Sequence, residues 1–302
     1  MASAVGTRLV GLIGYPVGHT ASPAMHQAGF RALGLDWFYV PMEVPPGLVG
    51  DAVRGLRALG FAGANVTIPH KQAVLGHVDR LTSEARRVGA VNTLWIDGGR
   101  IVGHNTDVAG FRQAVARALP DLDGRVALSL GAGGAARAAI AACVGAPCER
   151  VVVAARRLEA ARELARAFGR VEAVALEATS LHPLLESVDL LVNATPLGMA
   201  GVGQGEALVE LAPPARLAPG AVVMDMVYRP LDTPLLQAAR QAGRAVVTGA
   251  AMLLHQGTAA FELWTGRPAP VTAMARALAR ELGVQEPDEA GLPTPPQPKH
   301  AG

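Results

Sequence analysis

Cysteine is almost absent. The 302 residues contain two, Cys143 and Cys148. They form no Cys-x-x-Cys, and no histidine pair stands near them at zinc-ligand spacing. A zinc module is therefore excluded, no metal site is expected, and both thiols read as buried or incidental. Charge of one sign is equally scarce: 27 Lys and Arg stand against 25 Asp and Glu, a net of +2. That leaves no electrostatic footprint for nucleic acid or an anionic membrane surface. The arginines are scattered along helices and read as solvated faces. Long apolar runs are also missing. Residues 1–8 lack the apolar segment of a signal peptide, and no stretch reaches ~18 apolar residues unbroken. These absences together predict a soluble cytoplasmic chain that binds neither membrane nor nucleic acid. Half of the residues are apolar, enough for the cores of two domains at this length.

The chain is organised around residues 126–142, VALSLGAGGAARAAIAA. Val126–Leu130 is an apolar run that reads as a buried strand. Gly131, Ala132, Gly133 and Gly134 follow, and an alanine-rich helix starts at about Gly134. Strand, glycine turn and helix are the context a dinucleotide-binding loop requires: the turn lets a pyrophosphate approach the backbone, and the helix N-terminus faces its charge. Ala135 follows in the first turn, and Ala136 stands where the third glycine of G-x-G-x-x-G would be. That position needs only a small side chain. Taken alone, the loop also fits a tight βα turn with no ligand.

After this element, strands and helices alternate regularly to Thr248, which argues for a parallel, doubly wound sheet. Before it, strands and helices also alternate. They begin with strand Arg8–Gly14 and end in a hairpin about Asp97-Gly98-Gly99. Ser22-Pro23 predicts a helix start with Ser22 as N-cap, Pro69-His70-Lys71 the end of a strand and the opening of a short helix, 81–88 a helix, 200–220 an irregular connection and 222–227 a strand. Two helices follow, 250–264 and 271–282. Residues 286–302, rich in Pro, Gly and charge, predict a disordered tail.

One further absence concerns the cofactor. In sheets of this kind an acidic residue at the end of the second strand binds the ribose 2′-hydroxyl of NAD, whereas arginine accommodates the 2′-phosphate of NADP. Here strand Arg150–Ala155 runs into Arg156-Arg157 without an Asp or Glu. Two guanidiniums can pair with a phosphate dianion, and decorating a helix N-terminus would place them against its positive end. NADP is the expected cofactor.

Seven polar stretches remain: the loop 15–23, NVTIPHK (65–71), GAVNT (89–93), NTD (105–107), NATPLGM (193–199), DMVYRP (225–230) and AMLLHQGTAAFELWTG (251–266). In this order they resemble the shikimate dehydrogenase family, over residues 9–282. The resemblance implies two α/β domains. One is an N-terminal substrate domain, 1–106 completed by helices in 249–285; the other is a Rossmann-type NADP domain, 107–248. It also implies NADPH-dependent reduction of 3-dehydroshikimate to shikimate in aromatic amino-acid biosynthesis, on a small-molecule substrate, by a chain that could form a homodimer. Lys71 and Asp107 would be catalytic. Asn65, Thr67, Asn92 and Gln256 would hold the ring hydroxyls, and Thr20, Ser22 and Tyr228 the carboxylate. The cofactor would rest on Gly131, Ala132, Gly133, Gly134, Ala135, Arg156 and Arg157, with Met226 and Gly249 near the nicotinamide. Thr20 stands where the family usually has serine, which adds a methyl group. Arg229 replaces a commoner asparagine.

Read without the resemblance, the same residues supply suitable chemistry, donors for a carboxylate and neutral amides for hydroxyls, but each has a plainer role open to it. Asn65 and Thr67 could cap a strand, Asn92 could satisfy a turn, Lys71 could be a solvated helix residue and Asp107 a helix N-cap. Two rival functions stay open: a quinate/shikimate dehydrogenase of the same family, and a non-catalytic NADP-binding sensor, which would need neither Lys71 nor Asp107.

Overall fold

The computed structural model describes residues 6–284; the expected tail, 286–302, lies outside them. The strands are β1 (Arg8–Gly14), β2 (Trp37–Glu43), β3 (Gly63–Val66), β4 (Arg80–Leu81), β5 (Thr93–Asp97), β6 (Arg100–His104), β7 (Val126–Leu130), β8 (Arg150–Ala155), β9 (Glu172–Ala175), β10 (Leu190–Asn193), β11 (Val222–Asp225) and β12 (Ala245–Thr248). The helices are α1 (Ser22–Ala32), α2 (Val49–Ala58), α3 (Ser83–Val88), α4 (Asp107–Ala116), α5 (Gly134–Val144), α6 (Leu158–Phe168), α7 (Ala178–Leu185), α8 (Gly205–Leu211), α9 (Pro234–Gln241), α10 (Gly249–Thr265) and α11 (Val271–Glu281). They form two compact units. The first holds the chain up to Gly110 together with Leu254–Glu281; the second holds Phe111–Leu253.

The first unit is built on a mixed six-stranded sheet of order β2-β1-β3-β5-β6-β4. β1 pairs parallel with β2 and β3, while β5 runs antiparallel to β3 and β6. The β5–β6 hairpin closes through Gly98 and Gly99, both at positive φ (+55° and +78°). A turn with two left-handed residues matches the twist of the flanking strands, and glycine adopts it without strain. One apolar core, centred on Ile13, Val53, Val66, Val74, Val91 and Leu94, packs between this sheet and α2. The returning helix α10 docks by Trp264, whose indole N–H donates to the Leu94 carbonyl at 2.9 Å. Gly63 makes that docking possible, because a Cβ there would lie 2.2 Å from the Leu94 oxygen and 2.5 Å from Trp264 Nε1.

The second unit has an all-parallel sheet of order β12-β11-β10-β7-β8-β9. Counted from β7, that is the 3-2-1-4-5-6 order of the doubly wound dinucleotide fold, with its switch point between β7 and β10. Its central strands β7, β10 and β11 are buried along their length, as a sheet covered on both faces demands. Cys143 and Cys148 are free and buried in this unit.

Four local expectations are corrected. Ser22 is not the N-cap of α1: Ala21 holds that position, and Ser22 lies inside the helix with its N–H donating to Thr20 Oγ1 at 3.3 Å. Residues 69–71 form turns, and the short helix expected to open there begins at Ala73 as a 3₁₀ helix, Ala73–His77, because the Lys71 carbonyl accepts from the Val91 N–H (2.7 Å) and is lost to a helical ladder. Helix α3 is shorter than 81–88. Arg80 and Leu81 pair with β6, and Thr82 caps the helix by accepting from the Ala85 N–H. The stretch 200–220 contains α8 and a 3₁₀ turn, Pro214–Arg216, because Leu208 is fully buried in the core beneath the sheet. Tertiary burial there outweighs the glycines around it.

Candidate active site

In the first unit β3 ends in Asn65-Val66-Thr67, β5 begins at Thr93 just after Asn92, and β6 leads through Asn105 and Thr106 into α4. Sheet order therefore brings three sequence-distant polar stretches to one place. Lys71 Nζ lies 2.5 Å from Asp107 Oδ2, with the two side chains 15% and 4% exposed. A pair so nearly withdrawn from water interacts much more strongly than a surface pair. The second carboxylate oxygen, Asp107 Oδ1, accepts from Asn92 Nδ2 at 2.8 Å. Asp107 is thus the first residue of α4 with both oxygens committed to side chains.

Asn92 is the hub. Its Oδ1 accepts from the Thr106 N–H at 2.7 Å, which fixes the direction of the amide. Its Nδ2 then faces Asp107, Thr106 Oγ1 (2.9 Å) and Gln256 Oε1 (3.2 Å). Gln256 arrives on α10 from 164 positions away. It can approach because α4 carries Gly110, where a Cβ would stand 2.7 Å from Gln256 Cβ. Asn65 donates through Nδ2 to the Asn92 carbonyl and to Thr93 Oγ1, each at 3.2 Å, and its Oδ1 accepts from the Tyr39 hydroxyl at 2.9 Å. Tyr39 in turn stacks on His26, ring centroids 4.6 Å apart. Complete burial holds the His26 pKa down at about 3, so this imidazole is a neutral packing group.

Lys71, Asn92, Asp107 and Gln256 are thus in direct contact, and Asn65 joins them through Thr93. Thr20 and Ser22 sit side by side at the start of α1. Thr67 packs against the end of β1, where a Cβ on Gly14 would lie 2.3 Å from its methyl group. Tyr228 belongs to the second unit, in the loop after β11. Sequence reasoning missed Thr93, Thr106 and Tyr39. The signal available was polar residues abutting apolar strands, as in GAVNT and NTD.

The second unit supplies backbone where the first supplies side chains. Gly131 ends β7 at φ +108°, and a Cβ there would meet the Ala194 carbonyl of the neighbouring β10 loop at 2.9 Å. A Cβ on Gly133 would meet nothing within 4 Å, and α5 starts without a side-chain cap. An uncapped helix N-terminus beside open space fits a pyrophosphate. Ala132 and Ala135 add no bulk to this loop. Arg156 and Arg157 are exposed at the end of β8, and among the described residues neither side chain makes a hydrogen bond or ion pair. Gly249 opens α10 against the Met226 carbonyl, where a Cβ would stand 2.3 Å from the oxygen.

A network missed in the sequence braces these loops. The Asp225 carboxylate accepts from Asn193 Nδ2 (2.9 Å), the Val227 N–H (3.0 Å) and Thr233 Oγ1 (2.7 Å). Burial raises its pKa to about 6, against the lowering effect of these three bonds. It ties the 193–199 loop to the one carrying Met226 and Tyr228.

Models of known families match along both units. Residues 12–94 match the shikimate dehydrogenase substrate binding domain, 113–219 the shikimate/quinate 5-dehydrogenase model, and 249–279 the shikimate 5′-dehydrogenase C-terminal domain. The chain is 44% identical over 283 residues to the shikimate dehydrogenase (NADP(+)) of Geobacter metallireducens, covering 91% of this chain and 97% of the relative. Among solved structures it is similar to the Thermus thermophilus shikimate 5-dehydrogenase in complex with NADP(H) and shikimate, with TM-score 0.80, 36% identity and coverage of 91% and 100%. It is also similar to a quinate dehydrogenase from Corynebacterium glutamicum in complex with NAD, with TM-score 0.81, 32% identity and coverage of 91% and 99%. With family models matched in each unit and a relative of such identity and coverage, the chain belongs to the shikimate dehydrogenase family.

Proposed function

We propose that the chain catalyses the reversible NADPH-dependent reduction of 3-dehydroshikimate to shikimate, a step of the shikimate pathway, in the cytoplasm. The Lys71–Asp107 pair carries this reading. A protein that only sensed NADP would have no use for a buried ammonium and carboxylate in the unit that lacks the glycine loop. NADPH held on Gly131, Ala132, Gly133, Gly134 and Ala135 would supply the hydride that converts the ketone carbon to a carbinol. As that carbon is reduced, charge develops on its oxygen, and Lys71 donates the proton there. Asp107 Oδ2 holds the ammonium in place and Asn92 holds Asp107. In the reverse direction the neutral Lys71 amine takes the hydroxyl proton. Asn65, Thr67, Asn92 and Gln256 bind the ring hydroxyls, and Thr20, Ser22 and Tyr228 the carboxylate. Met226 and Gly249 border the nicotinamide, and Arg156 and Arg157 bind the 2′-phosphate.

Similarity to the quinate dehydrogenase gives a second reading substance, since the added methyl of Thr20 lies where the carboxylate would be held. The unpaired arginines after β8 favour NADP over NAD. A matrix of shikimate and quinate, each with NADP+ and NAD+, followed by absorbance of the reduced cofactor, separates the two readings. Fastest turnover of shikimate with NADP+ is expected. A preference for quinate with NAD+ would overturn the assignment, and no turnover of either substrate would favour the sensor. Sedimentation velocity tests whether the chain forms a homodimer.

A further inference from the structure

Thr93 lies between the two amides to which the substrate hydroxyls are assigned. It is fully buried. As the first residue of β5 it stands directly opposite Asn65 of β3 in the antiparallel register, so the sheet itself sets their contact. Its hydroxyl accepts from Asn65 Nδ2 (3.2 Å), donates to Asn92 Oδ1 (3.0 Å) and lies 3.1 Å from Thr106 Oγ1. A continuous hydrogen-bonded chain results: Tyr39, Asn65, Thr93, Asn92, Asp107, Lys71. On either side of Thr93 the two amides have a second anchor, the Thr106 N–H for Asn92 and the Tyr39 hydroxyl for Asn65.

We propose that Thr93 is a positioning residue for substrate recognition, its single hydroxyl holding the Asn65 amide in register with the Asn92 amide, whose own direction the Thr106 N–H sets. An amide has one donor face and one acceptor face, so its direction decides whether it meets a hydroxyl as donor or acceptor. With Nδ2 spent on Thr93 and the Asn92 carbonyl, Asn65 retains one lone pair on Oδ1 and meets a hydroxyl as an acceptor. Without the Thr93 hydroxyl, Asn65 Nδ2 loses one of its two acceptors and Asn92 Oδ1 one of its donors; Asn92 stays held by Thr106 and Asp107, while the Asn65 amide is tied to it only through the Asn92 carbonyl and is freer to turn. The proposal rests on the assignment of substrate hydroxyls to Asn65 and Asn92.

The test compares Thr93→Val, which replaces the hydroxyl by a methyl of similar size, with the pair Thr93→Ala and Thr93→Ser, which share the same lost methyl and differ only in the hydroxyl. Shikimate oxidation by NADP+ is measured on each. The expected result is a rise of about tenfold in KM for shikimate in Thr93→Val and Thr93→Ala, an NADP+ KM within twofold of the parent, and recovery of most of the shikimate effect in Thr93→Ser. A role confined to stability would lower the fraction of active enzyme, and hence kcat, and leave KM unchanged. If Thr93→Val does not fold, the Ala–Ser pair decides alone. Shikimate KM within twofold of the parent in the hydroxyl-free variants, or no difference between Ala and Ser, would overturn the proposal. Asn65→Ala serves as control: if it too leaves the shikimate KM unchanged, the assignment of substrate to the amides fails. If it raises that KM while Thr93→Val does not, the role of Thr93 alone fails.

Discussion

The two units solve the problem of holding a small polar molecule in opposite ways. In the first, the site is made of side chains: Lys71, Asp107, Asn92, Asn65 and Gln256 are tied to one another by bonds of 2.5–3.2 Å. In the second, the core of the site is what is left out, a loop of glycine and alanine whose backbone turns at φ +108° and an uncapped helix behind it. A side-chain site concentrates its chemistry in a few atoms, so single substitutions should be severe. A backbone site spreads its hold over several N–H groups and is exposed to side-chain loss only at its charged margin.

Lys71→Ala should break the comparison most sharply. Turnover should fall by about 10²–10⁴-fold, the usual contribution of a general acid–base group, with far less change in either KM. Asp107→Asn should resemble it, and the double variant should be little worse than the worse single, because the two act as a unit. Near-normal turnover of correctly folded Lys71→Ala would show that the buried pair serves structure alone.

In the second unit the corresponding change is at the margin. Replacing both Arg156 and Arg157 with Ala removes charge-assisted hydrogen bonds, which contribute roughly 1.5–3 kcal/mol each. The KM for NADPH should rise about tenfold or more, and that for NADH should hardly change. An equal rise for both cofactors would place the arginines away from the 2′-phosphate.

The smallest effect concerns Asp225, a buried carboxylate that braces the cofactor unit. Its pKa rises from an ordinary 3.8 to about 6. Below the lower value the carboxyl is protonated in folded and unfolded chains alike. As pH rises through about 6 the folded chain must carry a buried charge, and stability falls by up to ~3 kcal/mol. Asp225→Asn keeps an acceptor for Asn193 and the Val227 N–H and offers Thr233 a donor, without the charge. Urea denaturation should find the variant close to the parent near pH 4 and more stable at pH 7. A parent that is the more stable at neutral pH would show that the ionised carboxylate is held favourably.

Elements whose signal is local were legible. β1, β7 and β8 begin and end where apolar runs and the residues that follow them place them, and the turn at Gly98-Gly99 needs nothing beyond its two glycines. Elements decided by distant partners were not. Helix α8 hides among glycines because only the burial of Leu208 makes it a helix, and the short helix after Pro69 starts at Ala73 because the Lys71 carbonyl is taken by an amide twenty residues on, Val91. At the site, the polar motifs were visible as types, and the resemblance selected residues from them. The bonds between them were not visible, since Thr93 matters only through its register with Asn65, and Asp225 only through Asn193 and Thr233.

The first unit is made from two pieces of chain, with Phe111–Leu253 of the second unit threaded between them. Gln256 reaches Asn92 across 164 positions, and Trp264 reaches Leu94 across 170. Synthesis proceeds from the N-terminus, and domains tend to fold as units while it does so. On the ribosome, then, the glycine-loop unit can be complete while the amide cluster still lacks its last member and its sheet lacks the helix that covers it. Such long-range closure is slow. A nascent chain stalled near residue 250 should therefore bind NADP(H) before it can recognise any substrate, so the order of translation would also be the order in which the two binding functions appear.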